Sequence, residues 1–262
     1  MVLAGVVALV VLRVTAAVVL GFRSYFPADF DSDFLQGRES YFYGPYQGAF
    51  YTHILSGPLS LILGLILLSD RIRTSYPAAH RMLGRVQGVD VLFVVCPSGL
   101  WMAWYAASGP VAAASFGLLA IVTAACTAMG WRAAVSGQYG LHKRWMNRSF
   151  VLLCSAVVLR VVGGLGAVLQ VQASWYDPAA SWACWMIPLV AFEAKGIWRF
   201  ARSRRALGPV MADPRSATRD CDLTLMKSPV EPSQSINGSA AHPAAAGPEP
   251  RRVRAPGNPR NA

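Results

Sequence analysis

Long apolar runs alternate with short polar connections along this chain. Six runs are predicted to form membrane helices: Val2–Leu20, Tyr51–Ser69, Gln87–Ala107, Val111–Val135, Ser149–Val171 and Trp182–Phe200. About 20 apolar residues in helical conformation cross a hydrocarbon core. The first run also has the look of a signal peptide. Arg13 interrupts it, no basic segment precedes it and no small-residue cleavage site follows before Phe22, so a helix is predicted. In the second run His53, Gly57, Ser60 and Gly64 recur at helical spacing. Small residues on one face let helices approach closely, so this face is expected to look into the bundle, with His53 at its outer end. Asp90 stands near the start of the third run and Pro97 in its middle, which a membrane helix tolerates where neighbours satisfy the freed carbonyl.

Beyond Arg202 the periodicity stops and Pro, Ala, Ser, Gly and Arg dominate, so Ser203–Ala262 is expected to be a disordered tail. The predicted fold is therefore all-α: a polytopic bundle of six transmembrane helices over residues 1–202, followed by a cytoplasmic tail over 203–262.

Composition sharpens the class. The chain is 54% hydrophobic and only 14% charged, which excludes an ordinary soluble domain. Its formal charge of +11 lies mostly in connections 70–86 and 136–148 and in the tail. Lysine and arginine collect on the cytoplasmic side, so both termini are expected to be cytoplasmic and Phe22–Phe50 to face outward, in a cytoplasmic membrane. The same basic loops would sit against anionic lipid; nucleic acid is not needed to explain them. The outward loop carries Asp29, Asp31, Asp33 and Glu39 and ends in an aromatic cluster, Tyr41 to Tyr46, suited to the headgroup level. Cys96, Cys126, Cys154 and Cys184 fall inside apolar runs without metal-type spacing and are expected to behave as small buried hydrophobes.

Two constellations are candidates for chemistry. By helical rise, Arg13, Arg160 and Glu193 all fall near mid-membrane, where unpaired charges are costly. They are expected to form an ion-paired core left partly positive by the second arginine. That suits an anion or proton site, or else a structural Arg–Glu pair with Arg13 snorkelling. The second constellation is His80-Arg81-x-x-Gly84-Arg85 with His142-x-Arg144-Trp145-Met146-x-Arg148-Ser149, both placed just before an outward-going helix. Helix N-termini with added arginines suit a phosphate, a carboxylate or a lipid headgroup. Retention on the cytoplasmic face with lipid contact explains the arginines too, but explains two histidines less well. His80 and His142 would also serve as the axial pair of a b-type haem, with His53 too far away to join them. No Ser–His–Asp arrangement, phosphate loop or zinc motif is visible, so enzyme chemistry of the soluble kind has no support.

The order of these residues resembles a known family. An outer-end His53 in the second run is followed by His80-Arg81-x-x-Gly84-Arg85 and His142-x-x-Trp145-Met146-x-Arg148-Ser149; Arg160 and Glu193 complete the set. This is similar to the bacterial membrane proteins grouped as domain of unknown function 2306, over roughly residues 48–199. The resemblance implies a polytopic membrane protein and brings no activity or cofactor with it. Three function classes follow from the residues: a binding or transport module for an anionic small molecule, lipid or proton; a haem b electron-transfer protein; and a scaffold whose charges only fix helix packing.

Overall fold

In the computed structural model the described residues are 2–32, 34–171 and 173–207, and among them there is no strand. The main helices are α1 (Val2–Leu20), α2 (Pro45–Leu68), α3 (Pro77–Asp90), α4 (Cys96–Trp104), α5 (Pro110–Val135), α6 (Tyr139–Leu153), α7 (Ser155–Val168) and α8 (Tyr176–Leu207). Two of them open on a Gly-Pro step. Gly44 (φ 102°) and Gly109 (φ 85°) take backbone angles that other residues resist, and Pro45 and Pro110 then start their helices, where a missing N–H costs nothing.

Five helical stretches are long and apolar enough to cross a membrane: Gly5–Ser24, Pro45–Leu68, Pro77–Trp104, Pro110–Val135 and Tyr139–Val168. The third joins α3 to α4 through a π turn at Val91–Val95, and the fifth joins α6 to α7 across Cys154. The sixth stretch, α8, is longer, but Trp182, Trp185, Pro188, Glu193 and Lys195 dilute its apolar run. The protein is an all-α, multi-pass membrane helix bundle.

The helices start earlier than the apolar runs suggest. The third span begins at Pro77 and the fifth at Tyr139, so both basic motifs are helical and not loops. The sixth begins at Tyr176 and continues to Leu207, which makes Ser203–Leu207 helical. The rest of the expected tail lies outside the described residues. Pro97 is accommodated because the π turn directly precedes it and already departs from the i→i−4 ladder that the proline cannot join.

Three apolar clusters hold the bundle. Val11, Leu61 and Val157 join α1, α2 and α7. Cys126, Leu152, Cys184 and Trp185 join α5, α6 and α8. The third cluster is Leu35, Phe42, Tyr46 and Phe50, packed by Tyr25, Phe30, Tyr105 and others. The long first loop is thus not a polar excursion; its rings turn inward and cover the ends of α2 and α4. Arg38 fastens it, donating to the Phe34 carbonyl (2.6 Å), the Tyr46 hydroxyl (3.1 Å) and the Tyr105 carbonyl (3.3 Å).

Candidate functional site

The face of α2 predicted to look inward does so at Ser60 and Gly64, while nothing lies within 4 Å of a Cβ built on Gly57. Ser60 and Gly64 are buried, and Gly64 lies so close to the Phe150 ring of α6 that a Cβ would collide with it. Gly88 of α3 meets the Trp131 ring of α5 in the same way. These close approaches draw α2, α3, α5 and α6 together and bring their polar groups face to face.

At the loop end of this face sits His53. Its Nδ1 lies 3.1 Å from Ser98 Oγ and 3.2 Å from the Val95 carbonyl at the end of the π turn. Gly99 leaves room for the ring, since a Cβ there would come within 3.0 Å of its Cε1. Arg160 of α7 lies near enough that its charge is felt at His53 and at Tyr25. The Arg160 guanidinium is exposed, donates from Nη1 to the Ala156 carbonyl of its own helix (3.0 Å), and has no carboxylate partner among the described residues.

The expected trio of Arg13, Arg160 and Glu193 does not form. Glu193 pairs with Arg148 instead: Nε to Oε1 is 2.5 Å and Nη2 to Oε2 is 3.0 Å, a fork-on-carboxylate geometry. The Arg148 guanidinium also stacks over the Trp145 ring, 4.6 Å from its centroid. The physical reason is depth. Counted from the true start of α8 at Tyr176, Glu193 lies about 26 Å along the helix, near the basic end and not at the midplane. Arg13 points elsewhere: Val11 and Thr15 are the buried positions of α1, and a residue between them falls on the opposite, exposed face.

The basic motifs behave differently from each other. Arg81, Arg85 and Arg144 are exposed, whereas Arg148 is consumed by Glu193 and Trp145 and leaves the cluster to which the spacing assigned it. His80 and His142 are half-buried and close enough for a charge on one to be felt by the other. His142 Nδ1 lies 2.8 Å from the Gly130 carbonyl, while His80 Nδ1 is buried without a partner among the described residues. The described residues contain no group of three or more His, Cys, Asp or Glu side chains that could hold a metal ion.

One polar group inside the bundle goes beyond the constellations predicted from spacing. Asp90, at the end of α3, is buried and accepts a hydrogen bond from Ser60 Oγ at 2.5 Å. One turn earlier on the same face, Gln87 is buried and its Oε1 has no partner among the described residues. The signal was available: Ser60 belongs to the inward face of the second run, and Asp90 is the acid placed to meet it across the helix pair.

No curated protein and no solved structure matches this chain. A family profile described as "Predicted membrane protein (DUF2306)" matches residues 50–194, a stretch that holds His53, Asp90, both basic motifs, Arg160 and Glu193. With more than half of its length matched, the chain belongs to that family of membrane proteins.

Proposed function

We propose that the protein is a membrane-embedded binding or transport module for a small anion, with Arg160 and His53 as its recognition pair. The observation that carries this reading is the state of Arg160. Glu193, the carboxylate that spacing paired with it, is taken by Arg148, so most of the Arg160 donors are uncommitted within electrostatic reach of His53. A guanidinium presents its donors in a fixed fork that matches carboxylate or phosphate oxygens. A charge inside a membrane without a carboxylate partner is costly, and such a residue is by default a candidate for function. Thr15, whose buried Oγ1 has no partner, lies one turn above Val11 of the α1–α2–α7 cluster, as Arg160 lies one turn above Val157. The arginines exposed at the basic end, Arg81, Arg85 and Arg144, form a collecting surface for anions or anionic lipid. In this reading the basic end faces the cytoplasm.

The test is a titration of the detergent-purified protein with small monoanions and dianions, from acetate to inorganic phosphate, read as melting temperature. A saturable rise is expected with at least one of them. Arg160→Gln should abolish it and Arg160→Lys should weaken it roughly tenfold or more, since a bidentate contact becomes a single point charge. A response that survives Arg160→Gln but disappears with Arg81→Gln and Arg144→Gln would move the binding to the surface and end the proposal.

A further inference from the structure

We propose that Asp90, together with Ser60 and Gln87, forms a proton-carrying site inside the bundle. The inference does not rest on the anion reading, because none of these residues shares a hydrogen bond with Arg160 or His53 among the described residues.

Asp90 is 8% exposed and Gln87 3%. Among the described residues the carboxylate receives one hydrogen bond, from Ser60 Oγ, and no ion pair. The charged and titratable groups on the elements packed around it are otherwise placed. Asp70 and Arg73 of the preceding connection pair with each other, and His53 of α2 is tied to Ser98. Cys96 of α4 and Cys126 and Arg132 of α5 make no hydrogen bond or ion pair with Asp90. As a carboxylate, Asp90 would be a buried charge held by a single hydroxyl, which is among the most expensive arrangements a protein interior can contain. Gln87 has the complementary defect: a buried acceptor without a donor.

One added proton removes both defects. The neutral acid still accepts from Ser60 on one oxygen and gains an O–H on the other. Gln87 is three residues away on the same helical face, where neighbouring Cβ atoms stand about 5–6 Å apart, within reach of two such side chains. No covalent bond other than O–H forms or breaks. The proton comes from solvent at the basic end, where His80, seven residues before Gln87 and on the same face, has a buried ring nitrogen without a partner. The π turn that begins at Val91 adds local adaptability next to the acid, and π turns inside helices concentrate at working sites.

Infrared difference spectra of the full-length protein in lipid, acid minus alkaline, test the proposal. A carboxylic-acid carbonyl band should appear on acidification, shift in D2O, persist with altered position in Asp90→Glu and vanish in Asp90→Asn. Removing the hydroxyl in Ser60→Ala should move the same band in a protein that keeps Asp90, so the result does not depend on Asp90→Asn folding. A spectrum unchanged in both Asp90→Asn and Ser60→Ala overturns the proposal. So does a band suppressed by sodium but not by choline at constant pH, which would make the three oxygens a metal-cation site.

Discussion

At the scale of single residues, the Arg148–Glu193 pair shows how a charge can be recognised correctly and its partner missed. The sequence identifies Glu193 as an acid in need of an arginine, and depth counted from the apolar boundary selects Arg160. The polar start of α8 at Tyr176 lengthens that helix and lowers Glu193 to the level of Arg148. The pair is partly solvated, with side chains 27% and 39% exposed, so its coupling should be modest, about 1 kcal/mol. A double-mutant cycle of Arg148→Leu and Glu193→Gln, read by unfolding in mixed micelles, should give a coupling of that size. Arg160→Leu with Glu193→Gln should be additive. Strong coupling between Arg160 and Glu193 would restore the pairing that spacing alone suggests. Asp90 carries the opposite lesson. Its partner Ser60 was visible as part of an inward face, but only the helix crossing brings the two together.

At the scale of elements, apolar run length locates helices well and their ends poorly. The motifs at 80–85 and 142–149 are polar in composition, yet they lie within α3 and α6, because continuity with the apolar part carries the helices through them without a side-chain cap at either start. Glycine presents the same problem. Gly163 and Gly164 look like a thinning of α7, but nothing lies within 4 Å of a Cβ built on either; the glycines that matter for packing include Gly64, Gly88 and Gly166. Gly88→Ala should therefore be destabilising by about 1–3 kcal/mol, the usual cost of forcing a methyl into a filled site, since the indole of Trp131 must move. Gly163→Ala should be neutral or stabilising by up to about 1 kcal/mol from helix propensity. Melting curves of the two variants in one detergent would show the contrast, and equal effects would contradict the packing described.

At the scale of the whole molecule, composition and run spacing suffice for the architecture: helices throughout the spans, and a bundle made for a bilayer. For α1 and α5 spacing does not reveal which faces meet. The lipid-facing and protein-facing sides of α1 and α5 are both apolar, so no amphipathic stripe marks the contact. The asymmetry of basic residues predicts a topology that can be tested. Reporter fusions after residues 75 and 138 should be active on the cytoplasmic side and one after residue 107 on the outside. The reverse pattern would invert the direction in which Arg81, Arg85 and Arg144 collect ligand, while leaving the interior contacts intact.

The stopper of rings formed by the first loop has a mechanical consequence. Arg38 reaches from that loop to Tyr46 on α2 and to the backbone at Tyr105, just past α4, so one guanidinium staples two spans at the same extremity. Splaying those spans apart there would cost this latch and the stacked contact of Tyr41 on Tyr105 together. At the opposite extremity α2 and α3 are joined through the short Asp70–Ser75 helix, whose side-chain bonds close within itself. Any rocking of these two spans would therefore pivot at the stapled end and widen at the end where the arginines stand.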